Sequence, residues 1–401
     1  MEIGFINFNT AEKKRIAKLM QQLMESEAIE ELGIGRVRDH FSNTLFPGTS
    51  TLQHHAKYFV VLPSLYYHAA YGSRRFHSTA EVDRYIKEAE IEITRQMASK
   101  PDGSTRTDIT GITGINTYRE AMTDYRKYVK YDPAYIYGSG LVRFGIVPDG
   151  NINRLILELN HRHSAAAGDK TADNPDTLSG ETQLIRTCGE TYVFTRGTDT
   201  IMEMALTANE ASFLKACIHQ RCEGSLLDFL LECPHDIDKK QHYFNLGEIL
   251  AGLNHATSDC YHMSVLFSKL VHLIDWRYNR TYYNSFGNAD EAGRCDAKYS
   301  ELCGLYEPAL VNEKAYGSLF DYIRLIDPML TDFCESCYSA IRADDTPRID
   351  SLVRSREYVV KRERSKIGNI AYKNDKRIDP APNTFRWETV RTMVNEIRHP
   401  L

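Results

Sequence analysis

The most informative stretch of the chain runs over residues 116–159 and reads NTYREAMTDYRKYVKYDPAYIYGSGLVRFGIVPDGNINRLILEL. Its first part predicts a helix, because Thr117 and Glu120 have the spacing of a capping box. Asp132 and Pro133 predict the start of a second helix, since aspartate is a good N-cap and proline is tolerated at the first helical position. Two helices separated by a short basic turn are therefore expected here.

The end of the same stretch predicts a β-hairpin. Two apolar segments, residues 144–147 and 152–159, flank Pro148-Asp149-Gly150-Asn151, and a tetrad of this composition is typical of a hairpin turn. Helix, turn, helix and hairpin is the order of a winged helix-turn-helix. We therefore expect a winged-helix-like unit at about residues 116–159.

Outside that unit the sequence is mostly helical in pattern. Apolar residues recur with the 3.6-residue period, and capping boxes begin helices after Ser78 and Thr207. The expected fold class is mainly α with a small β-hairpin, with the winged helix-turn-helix-like unit in the N-terminal half and a helical C-terminal half. An Ala-, Gly-, Ser- and Thr-rich loop or hinge at 161–183 would separate domains 1–160 and 184–401.

The composition excludes several classes of protein. The chain has 401 residues, 42% of them hydrophobic and 26% charged, so it is neither collagenous nor disordered. No apolar run approaches the length of about 20 residues that a membrane span needs. Nine scattered cysteines are typical of reduced thiols rather than a disulfide framework. With no basic n-region or apolar h-region at the start, the sequence predicts a soluble, cytoplasmic protein that does not bind membranes.

The charge is distributed unevenly along the chain. Its 49 basic and 54 acidic residues give a net charge of -5, which excludes a polycation. Residues 351–377 nevertheless contain nine basic and three acidic side chains, so this basic segment carries +6 and the remainder carries -11. Tyr358 and Tyr372 interleave with the cations, a pattern that suits backbone tracking with base stacking. A solvated helix face, or a patch that pairs with the protein's own acidic side chains, is the alternative. The predicted nucleic-acid contacts here are Arg354, Arg356, Lys361, Arg362, Arg364 and Lys366.

The predicted winged-helix-like unit adds a second set of candidate contacts. Its second helix would present exposed side chains to a DNA groove, while the turn and the wing would reach the backbone. Because residues 116–147 carry only +2, the unit could equally be a protein-binding module. The candidate contacts are Lys127, Lys130, Tyr135, Ser139 and Arg143, with Asn151 or Asn153 on the wing.

Candidate metal ligands fall on one face of a predicted helix. His255, Asp259 and His262 are spaced at i, i+4 and i+7, and His161 with His163 forms a second possible pair. Histidines on the surface, or hydrogen-bonded in the core, are the alternative, because neither group has a recognised metal-site spacing. We therefore predict no metal site.

No cofactor is predicted either. Gly33-x-Gly35 lacks the third glycine of a dinucleotide-binding motif, and the chain has no P-loop. Cys334 and Cys337 form a single Cys-x-x-Cys on a helical stretch, which favours core thiols over zinc or redox chemistry.

Several sequence blocks carry a family resemblance. They are Leu32-Gly33-Ile34-Gly35, Arg38-Asp39, Leu45-Phe46-Pro47-Gly48-Thr49-Ser50-Thr51, Ala56-Lys57-Tyr58-Phe59, Ile136-Tyr137-Gly138-Ser139-Gly140-Leu141, Phe144-Gly145-Ile146, Arg356-Glu357 with Lys361 and Arg364, and Phe385-Arg386-Trp387. With these blocks the chain resembles the bacterial domain-of-unknown-function family 6361. The resemblance implies a genomic setting in antiphage or mobile islands, with helicase-like or phospholipase-D-like nuclease proteins as possible partners. It implies no reaction.

Taken together, the patterns favour a non-catalytic, DNA-associated accessory component of a bacterial antiphage defence or mobile-element system. DNA would be contacted through the winged-helix-like unit and the basic segment. Two alternatives stay open, a metal-dependent nuclease or hydrolase and a protein-binding scaffold subunit.

Overall fold

The computed structural model describes residues 32–100, 104, 106–115, 129–168, 184–195, 200–374, 378 and 380–401. These residues form α-helices and short 3-10 helices, and no β-strand occurs among them. The chain divides into two compact units, each built from two separate stretches. Unit 1 comprises Met1–Ser42 and Ser258–Phe385, and unit 2 comprises Asn43–Thr257 and Arg386–Leu401.

The described helices are numbered in chain order. They are α1 (Gly35–Leu45), α2 (Tyr58–Tyr71), α3 (Thr79–Ala98), α4 (Pro133–Arg143), α5 (Ile152–Gly168), α6 (Ala208–Cys222), α7 (Leu226–Glu232), α8 (His255–Ser285), α9 (Ala289–Leu310), α10 (Glu313–Arg324), α11 (Pro328–Arg342), α12 (Thr346–Lys361) and α13 (Trp387–Arg398). Short 3-10 helices lie at Tyr243–Asn245, Arg362–Arg364 and Ile370–Tyr372.

Helix α2 is the centre of unit 2. Every side chain from Tyr58 to Tyr66 is buried, because the sequence YFVVLPSLY is apolar on all sides of the helix. It packs against α3, α4 and α5. The ring of Tyr137 on α4 stacks on Tyr58 at 4.8 Å and meets Phe59 edge-on at 5.0 Å. Burying each large side chain stabilises the unit by about 1.5–3 kcal/mol, so this helix supplies much of the core.

The Phe46–Ser50 block forms a turn onto which α4 packs. Gly48 has a φ of +79°, and a β-carbon on Gly140 would come within 2.4 Å of its carbonyl oxygen. Only glycine lets the two backbones approach so closely. The Gln53 side-chain amide closes the turn by donating to Gly48 O at 3.3 Å and to Ile136 O at 3.2 Å. The block therefore has a structural role in seating α4.

The predicted β-hairpin is wrong, because its second arm is helix α5. Asn151 does not close a turn between strands. Its side chain accepts the backbone N–H of Arg154 at 3.1 Å, as a helix N-cap does. Ile152, Leu155, Ile156 and Leu159 recur at i, i+3, i+4 and i+7, which is the period of a helix and not of a strand.

Because residues 152–159 are helical, the predicted wing of the winged helix-turn-helix is not formed. Its second helix is confirmed as α4, which begins at Pro133 and has Asp132 as N-cap, accepting the Tyr135 N–H at 2.8 Å. The first helix, predicted after Thr117, lies outside the described residues. Part of the predicted hinge continues α5 to Gly168, and residues 169–183 are also outside them, so that domain boundary stays a prediction.

Unit 1 is a set of helices along the 31-residue helix α8. Helix α11 packs against both α10 and α12. Helices α10 and α11 are separated at Asp327-Pro328, where Asp327 caps α11 and accepts the Leu330 N–H at 2.9 Å. In the aromatic core Tyr316 stacks on Tyr338 at 4.2 Å. This frame positions α12, from which the candidate interface is built.

Candidate nucleic-acid interface

Several exposed cations lie on helix α12 and on the segment after it. We call this set the basic face; its members are Arg348, Arg354, Arg362, Arg364 and Lys373. None of them forms an ion pair within the described part of the chain. Glu363 is the only exposed acidic side chain between residues 348 and 374. The face therefore presents almost uncompensated positive charge.

The chain folds back after α12, which keeps the basic face together. The buried carboxylate of Glu357 accepts the backbone N–H groups of Lys366 at 2.9 Å and Ile367 at 3.0 Å. It also accepts the Tyr278 hydroxyl at 2.7 Å. A β-carbon on Gly368 would lie 3.5 Å from Arg354 Nη1, so the returning segment passes beside this guanidinium. One buried acid thus holds the loop that carries the C-terminal cations.

An exposed aromatic ring lies within the basic face. Tyr358 is 53% exposed on α12, one helical turn after Arg354. Side chains four residues apart on a helix are neighbours. A planar ring beside a guanidinium is the pair of groups that can stack a base and bind the adjoining phosphate.

Two predicted contacts of the basic segment lie in the interior instead. Arg356 is 9% exposed and Lys361 is 5% exposed. Arg356 donates from Nε to Leu32 O at 3.0 Å and lies over the Phe333 ring, and burial lowers its pKa. Lys366 is half-buried. These positions are part of the packing of unit 1, so the exposed cations of the basic face carry the charge that a ligand could reach.

The cations that precede α12 in unit 1 are used differently. All five arginines of residues 258–342 form ion pairs. Arg277, Arg280, Asp296 and Asp350 form one network, in which Arg277 and Arg280 bind opposite oxygens of Asp350 at 2.7 and 2.6 Å. Among the described arginines from residue 258 onward, the lack of ion-pair partners therefore begins at α12, although Arg36 and Lys314 of the same unit are also exposed without an ion pair in the described chain.

The predicted contacts of α4 lie on the surface of unit 2. Tyr135, Ser139 and Arg143 are exposed, whereas Tyr137, Gly140 and Leu141 face the core. Lys130 lies over the Tyr131 ring at 5.0 Å, and Tyr131 stacks on Tyr135 at 5.0 Å. Lys127 is outside the described residues. The predicted wing contacts have local roles, since Asn151 caps α5 and Asn153 donates to Asp83 at 3.3 Å.

The candidate metal ligands do not assemble a site. His255, Asp259 and His262 are exposed on α8, and the Nδ1 of His262 contacts its own helix at Ser258 O, 2.7 Å away. Within the described ranges no three His, Cys, Asp or Glu side chains are grouped as metal ligands. His161 Nε2 lies 2.8 Å from Phe76 O, which orients this ring toward the protein.

The Cys-x-x-Cys pair is packed inside unit 1. Cys334 and Cys337 are both fully buried on α11. Burial raises the pKa of Cys334 to about 12 and also raises that of Cys337. Thiols in this state are poor nucleophiles and poor metal ligands, because both reactions need the thiolate.

Unit 2 contains a buried ion pair that the sequence does not predict. Lys57 Nζ binds both oxygens of Glu210 at 2.7 and 2.8 Å, and the two residues are 4% and 1% exposed. The Tyr192 hydroxyl donates to the same carboxylate. Burial, followed by the bond to Glu210, raises the pKa of Tyr192. The capping box that begins at Thr207 gives Glu210 only a role at the start of a helix. Nothing in the sequence links it to Lys57, 153 positions away.

Arg348 and Lys373 were also missed by the sequence reasoning as contacts. Arg348 lies just before the basic segment as it was bounded, and Lys373 lies inside it. Their exposure and lack of ion-pair partners within the described chain place them on the basic face. A charge count with a wider window would have included Arg348, but only the structure separates Lys373 from the buried Lys361.

Comparison with known proteins supports the family resemblance at one end of the chain. A family of unknown function, DUF6361, matches residues 1–129, which is about a third of the 401 residues. The matched range includes the Phe46–Ser50 turn and Lys57. The resembling blocks at 136–146, 356–364 and 385–387 lie beyond it. Among curated proteins and solved structures, nothing matches this chain.

No described helix is both long enough and apolar enough to cross a membrane. Over residues 1–129 the chain resembles the family of unknown function DUF6361.

Proposed function

We propose that the protein binds nucleic acid, with DNA as the expected ligand, through the basic face of unit 1. The observation that carries the proposal is the lack of described acidic partners at Arg348, Arg354, Arg362, Arg364 and Lys373 in a unit whose preceding arginines from residue 258 onward are all paired. Unpaired, hydrated cations can bind phosphates without first breaking internal ion pairs. The electrostatic gain comes largely from release of counterions condensed on the nucleic acid.

Tyr358 favours a strand with accessible bases as the ligand. Its ring is 53% exposed and adjoins Arg354 along α12. Base–aromatic stacking contributes about 1–3 kcal/mol per base and tolerates any sequence. We therefore expect single-stranded DNA to bind more tightly than a duplex of equal length, with little preference for sequence.

The direct test is a gel-shift titration at low and moderate salt with single-stranded and duplex DNA. We expect the triple variant Arg354→Ala, Arg362→Ala and Arg364→Ala to bind weakly. The matched control removes three paired cations of the same unit, in Arg294→Ala, Lys298→Ala and Arg324→Ala. Both variants change the net charge by the same amount. No binding at low salt, or equal losses in the two variants, would reject the proposal.

Tyr358→Ala separates stacking from charge. It should weaken binding of single-stranded DNA about fivefold or more and leave duplex binding nearly unchanged, since bases in a duplex are already stacked. Equal effects on both ligands would argue against stacking while leaving the electrostatic part in place.

Helix α4 is a second possible contact surface, which the same titration can assess. Lys130→Ala with Arg143→Ala removes the exposed cation that precedes the helix and the one at its last residue. We expect a smaller loss than for the basic face, because fewer phosphates can be neutralised. A loss as large as that of the triple variant would instead make α4 the main contact.

The broader role proposed is that of a cytoplasmic, non-catalytic accessory component in an antiphage defence or mobile-element system. The nine cysteines are all free, which agrees with a reducing compartment. The role in defence rests only on the family resemblance. If the protein binds no DNA but retains partner proteins from its native host, the scaffold alternative is favoured.

A further inference from the structure

Unit 2 contains an open cleft lined mainly by aromatic rings. It has a volume of about 390 Å³ and lies between the second half of α2 and the segment 187–194. We call it the aromatic cleft; the rings that define it are Tyr67, His68, Tyr71, Tyr192 and Phe194. Tyr67 and Tyr71 pair at 4.7 Å, and Tyr192 and Phe194 at 6.3 Å. Its volume is in the range of small-molecule sites.

The charge of the lining selects the kind of ligand. Among the described residues, Glu190 is the only carboxylate that lines the cleft, and neither lysine nor arginine does so. The remaining polar lining consists of the tyrosine, serine and threonine hydroxyls, the His68 imidazole and backbone groups. Aromatic faces carry partial negative charge, and with Glu190 they favour a cation and disfavour a phosphate or carboxylate. The cleft therefore differs in sign from the basic face of unit 1.

Hydrogen bonds from buried and exposed groups hold one wall of the cleft in place. The Tyr192 hydroxyl donates to the carboxylate of Glu210, which is fixed by the buried ammonium of Lys57. Two acceptors on the segment 187–194 are bound by the side-chain amide of Asn209, which lies on α6. The amide donates to Glu190 Oε1 at 3.2 Å and to Cys188 O at 2.8 Å. A buried ion pair is costly to desolvate, and apolar replacements are often as stable. Here the ion pair fixes the acceptor of the Tyr192 hydroxyl, as supporting groups do at binding sites.

On this basis we propose that the aromatic cleft binds a methylated ammonium group. Rings from α2 and from the segment 187–194 would contact its methyl groups, and Glu190 would balance its charge. The group could belong to a free quaternary amine or to a methylated lysine side chain of another protein, since both present the same chemistry. The inference does not depend on nucleic-acid binding, which the proposal above places in unit 1.

Calorimetric titration of the full-length protein with choline tests the charge requirement. The matched probe is 3,3-dimethylbutan-1-ol, which has the same shape with carbon in place of nitrogen and no charge. We expect choline to bind with a millimolar or tighter Kd and the neutral probe to bind about tenfold more weakly. Equal binding of the two probes, or no choline binding, would overturn the proposal.

Variants locate the binding within the cleft. Tyr71→Leu keeps an apolar side chain but removes a π face, and Glu190→Gln removes the charge; each should weaken choline about tenfold. Glu223→Gln is the control, because this exposed carboxylate of unit 2 does not line the cleft. Melting temperatures equal to that of the parent protein will show that the variants fold. If both cleft variants fold and bind choline like the parent, the cleft is not the site.

A second pair of probes distinguishes the two sources of the group. A short peptide containing trimethyllysine is compared with the same peptide containing unmodified lysine, and both with free choline. Tighter binding of the methylated peptide than of choline assigns the cleft to a protein partner, while the reverse assigns it to a small molecule. A preference for unmodified lysine over trimethyllysine would contradict the requirement for methyl groups.

Discussion

The arginines of α8 and those of the basic face are the same residue type in one unit, but they are used in opposite ways. Arg277 on α8 has a side chain only 3% exposed and binds Asp296 and Asp350. Arg354 and Arg362 are exposed and form no ion pair within the described chain. The first group is committed to holding helices together, and the second is available to a ligand. Burial and pairing, rather than net charge, distinguish a structural cation from one that a ligand can reach.

The largest effect is expected from breaking the network on α8. Asp350→Ala removes the carboxylate shared by Arg277 and Arg280 and leaves Arg277 buried with Asp296 as its only described carboxylate partner. Removing one partner of a buried ion pair typically costs about 3–5 kcal/mol. Urea unfolding of the variant should show a correspondingly lower midpoint. Asp332→Ala, which removes an exposed partner of Arg324, serves as the control and should leave the midpoint unchanged.

If Asp350→Ala unfolds at the same urea concentration as the parent protein, the network does not stabilise unit 1. The claim that the paired arginines of α8 have a structural role would then be wrong.

A slightly smaller loss is expected in unit 2 from Lys57→Met. The change leaves the buried Glu210 carboxylate without its ammonium partner, although the Tyr192 hydroxyl and the Thr207 N–H still donate to it. The free energy of unfolding should fall by about 3 kcal/mol. Adding Glu210→Gln should restore part of the loss, because a neutral amide needs no ammonium partner: its oxygen can accept the Thr207 N–H while its –NH2 group donates to the Tyr192 hydroxyl oxygen. A double variant less stable than Lys57→Met alone would contradict this account of the pair.

A pH-dependent effect is expected from His55, which is paired but only partly buried. Burial alone would lower its pKa, but the bond from Nδ1 to Glu396 at 2.7 Å, the charge of that carboxylate and the contact with Thr110 O raise the pKa above its ordinary value. The stabilisation is therefore complete below about pH 6.5 and is lost as the pH rises through the raised pKa.

Unfolding measured across this pH range should show the parent protein exceeding His55→Gln in stability most strongly in acid. The difference should shrink toward alkaline pH, when the imidazole is neutral in both the folded and the unfolded protein. A difference that grows with pH would reverse the assigned direction of the pKa shift.

The smallest effect on stability is expected on the basic face. Arg354→Ala, Arg362→Ala and Arg364→Ala break no ion pair among the described residues, so the unfolding midpoint of the triple variant should equal that of the parent. A clear loss of stability would mean that these arginines are structural, and the contrast with α8 would fail.

Local signals in the sequence predicted individual helix starts well. Ser78 caps α3 and Thr207 caps α6 with the full capping box. Asp132-Pro133 begins α4 at the expected residue. These signals depend on hydrogen bonds within one turn, so they can be read from neighbouring residues alone. The hairpin prediction is wrong because residues 148–151 have the composition of a turn, whereas the segment that follows them has the period of a helix.

Burial and pairing could not be read in the same way. Arg354 and Arg356 are neighbours in sequence, yet one is exposed and the other donates to Leu32 O, 324 positions away. Lys57 and Glu210 are likewise joined only by tertiary structure. A charge count treats all these residues alike, so it found the basic segment but not which of its cations a ligand can reach. The aromatic cleft was missed for the same reason, since the rings of α2 and those of the segment 187–194 meet only in the folded protein.

The central claim is most directly tested by the salt dependence of DNA affinity. Fluorescence anisotropy of a labelled single strand, measured from low to moderate salt, gives the slope of log Kobs against log salt concentration. For the parent protein we expect a clearly negative slope. For the variant without Arg354, Arg362 and Arg364 the slope should be shallower by about 0.7 for each phosphate that the protein no longer neutralises. The variant without Arg294, Lys298 and Arg324 should keep the parent slope. Identical slopes for all three proteins would contradict the assignment of binding to the unpaired cations.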